Sequence, residues 1–560
     1  MKSLEKKNKA SKKTNDLKKN SFVQGAFIAS FGVIISKMLG ILYVIPFHSV
    51  IGEKGGALYG YAYTIYMMFM AISTAGIPLA ISKLISEYHT LGYENAKDRA
   101  FKLGKQLTTI LGLVSFIILF VFAPQLASAI LGDLTGGSTI EEVTLVIRVI
   151  STAIIIVPVM SVYRGYFEGH KFISPTAFSQ VLEQIVRVTV IVAGSFMALK
   201  VFNLSLTTAV GVAVFGATLG AIATYLYLIN KRRKNKEKFS DKQNDTEEPV
   251  ISNKEILKKL FTYALPFIMI DVVRSLYSFI DTVTVIRTLG GSLNYSMVDA
   301  EIIMGMMSTW AAKFNMIIIS IAMGVIISLI PNLTASFVTG NMKDVRRKIN
   351  QTLQILLFLT LPMTIGLSFL ARPVWTVFYG QSTYGPVVLS YFVFVALILT
   401  LFTTSITIVQ VLKYYKQVFI SLIIGLTLKA TLNVPLMYLF DQLGLPAFYG
   451  AITATILAYA VSFIVCLITL KVKCKVKYES TAKQLINIVI GTALMGLGLL
   501  LTSLVLPREV DSRFMNIFII LGYTVVGAGI YFTYMLKTGA VSSIFGDSML
   551  NKLKRKFLRK

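Results

Sequence analysis

Long apolar stretches separated by short polar loops run almost the whole length of the sequence, from near Phe22 to near Leu536. A helix needs about 20 residues to cross the hydrocarbon core of a bilayer, and fourteen stretches reach that length. In lipid every backbone N–H and C=O must find its partner inside the protein, so such a chain can fold only as a bundle of membrane helices. The composition agrees, with 55% hydrophobic and 15% charged residues. The expected fold class is an all-α polytopic membrane protein with 14 transmembrane helices.

Basic residues stay on the cytoplasmic side of a membrane protein. With both termini placed in the cytoplasm, the outer loops hold only Lys54, Lys200, Arg287, Arg372, Arg508 and Arg513. Lys37, Arg148, Arg187, Arg274, Lys313 and Lys429 fall within spans, and the rest of the 55 Lys and Arg residues lie inside. The net charge of +28 is therefore read as topology, and nucleic acid is not an expected partner. The basic tail NKLKRKFLRK is expected to rest on anionic lipid head groups. The basic arm, residues 1–21, precedes an apolar run too long for a signal-peptide core and is read as a retained cytoplasmic segment.

The stretch KRRKNKEKFSDKQNDTEEPVISNKE (231–255) is polar and charged, as a solvated linker should be. It sets six spans before it and eight after, giving a lobe over 22–230, a linker over 231–258, a second lobe over 259–472, two further spans over 473–537 and a cytoplasmic tail over 538–560. The halves read as copies. KLISEYHTLGYENAKDRA (83–100) resembles PNLTASFVTGNMKDVRRK (331–348) with Gly92 and Gly340 in register, and APQLASAILG (123–132) matches ARPVWTVFYG (371–380) at the same offset. The repeat keeps each loop on one side of the membrane, so it predicts two parallel six-helix lobes, the architecture of a transporter with a central cavity.

An ionisable side chain at membrane depth costs at least ~2.5 kcal/mol, so each one within a span is a candidate for function. In span seven, Asp271, Arg274 and Asp281 fall at roughly 0°, 300° and 280° in helical projection, on one face. Span five carries Glu183 and Arg187 in the favourable order for a helical ion pair, so they either neutralise each other or leave Arg187 for a ligand. Arg148 and Lys313, near span ends, either snorkel or face a cavity. Lys37 and Arg274 sit mid-span without a neighbour that cancels both. Lys37, Arg148, Arg187, Arg274 and Lys313 are the candidate binding residues for an anion, phosphate above all. Asp281, Lys429, Asn433 and Thr453 form either a structural ion pair or an oxygen site for a coupling ion, Na⁺ at Asp281 and Asn433 or H⁺.

Enzyme chemistry finds no motif. His48, His89 and His170 lie in loops or at span ends without metal-ligand spacing, Cys466 and Cys474 form no disulfide or metal pattern, and nucleotide-binding and hydrolase motifs are absent. No cofactor is expected. Uphill work would draw on an ion gradient, the membrane potential or a partner's product gradient.

The run SVYRGYFEGHKFISPTAFSQVLEQIVRVTVIV (161–192) resembles the connection between spans four and five in polysaccharide exporters of the multidrug/oligosaccharidyl-lipid/polysaccharide superfamily. ISKMLGILYVIPF (35–47), GIPLAISKLISEY (76–88), YSFIDT (277–282) and INQTLQILLFLTLP (349–362) extend the likeness over nearly the whole chain. It is most similar to the MurJ-type branch of Gram-positive bacteria, whose members flip lipid II, the undecaprenyl-pyrophosphate precursor of peptidoglycan. The resemblance implies a V-shaped pair of lobes with alternating access, a groove for the lipid tail at the last two spans, and a bacterial cell membrane location. It matches Lys37 to the family's first-span cation and Lys313 to its eighth-span arginine. Tyr43 and Val44 stand where proteobacterial members place an Arg-Asp pair. The implied partners are an undecaprenyl-pyrophosphate-linked substrate and the cell-wall synthesis machinery, with a monomeric transport unit. The alternatives are an exporter of another undecaprenyl-linked polysaccharide or sporulation precursor and, more distantly, a cation-coupled drug exporter.

Overall fold

The computed structural model describes residue 32 and residues 35–74, 76–133, 135–235, 239 and 249–545. The arm 1–21, the start of the first span, most of the linker and the tail beyond 545 lie outside the described residues. Every regular element among the described residues is helical. Among the described residues, twelve helical runs are long and apolar enough to cross a membrane. Two of the fourteen expected spans need separate mention. The first begins outside the described residues and continues as helix over 35–42; the seventh is a 40-residue helix, Asn253–Ser292, diluted by its charged residues. The chain is a multi-pass membrane protein.

Contacts gather the described residues into two units. One takes the described part of Met1–Tyr43 with Tyr66–Ala123 and Leu145–Asp271. The other takes Val44–Ile65, Pro124–Thr144 and the described part of Val272–Lys560. In the first unit, Gly32 packs against Ala177 and Gly40 against Gln184, so span one lies along span five. Gly76, at φ 72°, breaks span two between the helices Val44–Thr74 and Ile77–Leu91. A Cβ at Gly76 would lie 2.6 Å from the Ala264 carbonyl oxygen, so this break also permits close approach of span seven. One turn further along, Lys259 bonds Glu87 at 3.0 Å and the Lys83 ammonium lies 3.6 Å from the centre of the Tyr263 ring.

The repeat read from sequence returns as matched elements. Helices Glu94–Val121 and Met342–Phe369 are both 28 residues long, and each is followed by a nine-residue helix, Ala123–Leu131 and Ala371–Tyr379. Gly92, Gly340, Gly132 and Gly380, the glycines paired in register, all take positive φ just past a helix end. That conformation releases the chain from the helix and favours glycine, which has no Cβ to clash. Several span threonines satisfy their hydroxyls within their own helix: Thr108, Thr360, Thr364 and Thr404 donate to the carbonyl one turn earlier.

Candidate functional site

In the first unit, spans four and five are clamped by three charges. Glu183 accepts from Arg187 Nη2 at 2.5 Å, one turn along its own helix, and from Arg164 Nη2 of span four at 2.8 Å. Arg164 Nε also donates to Ser179 Oγ at 2.9 Å, which fixes the guanidinium plane. Two guanidiniums share the Glu183 carboxylate. The side chains of Arg164, Glu183 and Arg187 are 16%, 13% and 19% exposed, so the cluster is not sealed. Span six approaches from behind, where Gly220 leaves room for the Glu183 carbonyl, 2.9 Å from where its Cβ would be. Lys37 is half-buried on the span-one helix, one turn before Gly40, whose absent Cβ would lie 3.4 Å from Gln184 Nε2. Span one thus brings Lys37 to the same helix that carries Glu183 and Arg187.

The pairing of Glu183 with Arg187 expected from their spacing is present, but Arg164, which shares the carboxylate, was not among the expected site residues. Its signal was in the sequence as the arginine of the YRGYFEG turn. Arg148 turns to span three, donating from Nε to the Phe120 carbonyl at 3.2 Å and lying 5.1 Å from the centre of the Phe120 ring. Its place is a helix-to-helix contact.

The second unit contains the other cluster. Lys429 is completely buried in span eleven, and four oxygens surround its Nζ: Asp281 Oδ1 at 2.5 Å, Thr455 Oγ1 at 2.6 Å, Asn433 Oδ1 at 2.8 Å and the Ala451 carbonyl at 3.1 Å. Asn433 Nδ2 in turn donates to Asp281 Oδ1 at 3.2 Å and Thr284 Oγ1 at 2.5 Å. Spans seven, eleven and twelve are thereby tied at one point. The Tyr277 and Tyr459 rings stack at 4.4 Å beside it, and Gly425 makes room for the Tyr277 hydroxyl. Asp281, Lys429 and Asn433 come together as the sequence suggested, but Thr453 does not join them. Two residues along a helix is about 200° of rotation, so Thr453 bonds the Tyr391 hydroxyl at 2.9 Å, and Thr455 supplies the hydroxyl of the cluster. The oxygens expected to hold Na⁺ hold the Lys429 ammonium. Among the described residues no group of three or more His, Cys, Asp and Glu side chains could hold a metal ion.

Asp271 is the last residue of the first unit on the span-seven helix, whereas Arg274, exposed, and Asp281, buried, belong to the second. Lys313 is half-buried near the start of Ala311–Val338, directly after a π-helical turn at Met306–Trp310. A π turn widens the helix and re-aims the residues after it. Ahead of that turn lies a fully buried carboxylate that sequence reasoning missed. Glu301 accepts from Ser138 N at 2.9 Å and from Ser138 Oγ at 3.0 Å, while the Trp310 ring covers Gly56 and lies 4.8 Å from His48. Its helix, Met297–Gly305, also carries Asp299 in the first turn, so charge alone did not single Glu301 out.

A family model described as "Polysaccharide biosynthesis protein" matches residues 22–337. The chain is similar to the lipid II flippase MurJ of Bacillus subtilis (strain 168), 34% identical over 545 residues that cover 94% of this chain and 97% of the relative. It is also similar to the stage V sporulation protein B of that organism, 29% identical over 210 residues, or 38% of this chain and 39% of the relative. Among solved structures, a lipid II flippase MurJ in an inward closed conformation aligns with a TM-score of 0.63 at 16% identity, covering 94% of this chain and all of the other. An inward-facing multidrug resistance MATE family transporter of the MOP superfamily aligns with a TM-score of 0.61 at 15% identity, covering 80% and 98%.

Proposed function

Because the chain belongs to the polysaccharide biosynthesis protein family, in the MurJ-type branch of the MOP superfamily, we propose that it is a flippase that moves lipid II from the inner to the outer leaflet. It is a transporter rather than an enzyme. The observation that carries this reading is the 34% identity with a lipid II flippase over 94% of the chain. The cationic cluster of the first unit supplies chemistry to match it, since a pyrophosphate diester needs donors that stay charged as water leaves. Glu183 holds Arg164 and Arg187 in place, and Lys37 lies on the adjoining span. Lys313 and Arg274 are proposed as contacts of the second unit, whereas the bond from Arg148 to Phe120 makes it a weaker candidate.

A ligand drives alternating access only by binding one state better than the other. The anion would do so where closing spans bring cations together around it. The Lys429 ammonium already neutralises Asp281, which supports the membrane potential or a proton, rather than Na⁺ at these oxygens, as the source of drive. The charge distribution supports cytoplasmic termini in a bacterial cell membrane, with anionic lipids held by the basic tail. The lipid tail of the substrate would run along the last two spans, Glu479–Thr502 and Arg513–Lys537, whose exposed faces carry Leu497, Leu501, Phe518 and Val525.

Depletion of the protein in its own cell, with outer-leaflet lipid II scored by an external probe, tests the reading. Wild type is expected to restore outward lipid II, and Lys37→Glu, inserted normally, is expected not to. A fully active Lys37→Glu protein refutes the role of Lys37. Normal outward lipid II in depleted cells shown to have no redundant flippase refutes the substrate and points to another undecaprenyl-linked sugar.

A further inference from the structure

Between the helices Leu206–Lys234 and Asn253–Ser292, the sequence contains one aromatic residue, Phe239. In a polar linker an aromatic side chain has no reason to be buried unless something receives it, yet Phe239 is 5% exposed. Four rings surround it: His170 at 5.1 Å, Tyr166 at 5.2 Å, Phe172 at 5.3 Å and Phe167 at 5.6 Å between centroids. All four come from the turn that joins spans four and five, where Lys171 takes a left-handed φ of 63° and folds the chain back. The site also recognises backbone. Lys97 of span three, its side chain 1% exposed, donates to both oxygens of Glu94 at 2.6 Å and to the Phe239 carbonyl at 2.7 Å.

An ammonium has three N–H donors, and a buried one is stable only when its donors are used. Glu94 supplies acceptors for two; the linker carbonyl completes the set. Arg232, near the end of span six, stacks on the same aromatic group, 4.3 Å from the Phe101 ring and 4.9 Å from that of Tyr166, and so aims the chain toward the pocket. We propose that this corner of the first unit is a peptide-docking pocket, specific for an aromatic side chain together with its own carbonyl, and that Phe239 is its resident ligand. The chain is then anchored at Phe239, four residues past the C-cap Asn235.

Trypsin digestion of the full-length protein in nanodiscs tests this, because basic residues flank Phe239 on both sides. Releasing a buried Phe should raise linker cleavage in Phe239→Ala roughly tenfold or more over wild type. Phe239→Tyr should stay close to wild type, and Lys97→Met should fall between. A fluorescent peptide of sequence NKEKFSDKQ should bind the Phe239→Ala protein, whose pocket is vacated, and bind wild type weakly. Equal cleavage of wild type and Phe239→Ala overturns the anchoring at Phe239. Failure of the peptide to bind Phe239→Ala any better than wild type overturns the pocket as a receptor.

Discussion

Lys429→Met should be among the most destabilising single changes in the second unit. It takes the cation from the four oxygens that surround it and leaves the Asp281 carboxylate facing Asn433 Nδ2 at 3.2 Å and Thr455 Oγ1 at 3.5 Å. Breaking one side of a buried ion pair costs about 3–5 kcal/mol, most of it the isolation of the remaining charge. Asp281→Asn should cost a similar amount, because the ammonium keeps three neutral oxygens and loses its counter-charge. The double variant removes both charges and should be less destabilised than either single one, as expected of coupled buried groups. Both tryptophans, Trp310 and Trp375, are fully buried in this unit, so their fluorescence follows its unfolding in nanodiscs. A Lys429→Met protein within about 1 kcal/mol of wild type, or additive single effects, would refute the reasoning. Lys429→Ala leaves the oxygens without their cation, and a stability gain in NaCl over choline chloride would show that a free ion can stand in for the tethered one.

Glu183→Gln should loosen Arg164 and Arg187 together, lowering flipping without loss of insertion, and the effect is read as outer-leaflet lipid II per inserted molecule. Glu301→Ala strands Ser138 N and Oγ and should cost about 1–3 kcal/mol in the same unfolding assay. Gly92→Ala and Gly340→Ala should each cost roughly 1–2 kcal/mol from the left-handed φ alone, and Gly340 is the cleaner test because open space surrounds its missing Cβ. Equal unfolding midpoints for wild type and Gly340→Ala would mean that the turn relaxes to another conformation.

The spans were legible because membrane depth imposes one physical requirement on every one of them, and about 20 apolar residues in a row is a signal that local sequence cannot hide. The internal repeat was legible for a related reason. Gly92 and Gly340 occupy backbone positions that favour glycine, so the pairing survived while the side chains around them diverged. Two features of the fold were not written in hydropathy. The break at Gly76 falls inside an apolar run, where hydropathy is silent and its one local mark is Pro78 in the first turn of the next helix. The π turn at Met306–Trp310 leaves no mark in composition.

The charges show where sequence reasoning stops. Spacing fixed which charges shared a helix, and so Glu183 with Arg187 was accessible from i and i+4 alone. Which helix lies opposite is a tertiary fact, and it decided the outcome twice. Arg164 reached Glu183 from span four, adding a second guanidinium to a pair that spacing alone left either self-neutralised or open to a ligand. Thr455 rather than Thr453 faced Asp281, because the span-twelve face turned toward spans seven and eleven differs from its neighbour by a rotation that both hydroxyls permit equally in sequence. The two clusters also differ in their surroundings. Lys429 is enclosed by oxygens that use its charge fully, so it can hold spans together but cannot offer that charge to a ligand. The guanidiniums of Arg164 and Arg187 both bond Glu183 and stay partly exposed. The intramembrane cations therefore divide by enclosure, and the partly exposed cluster is the one to probe with substrate.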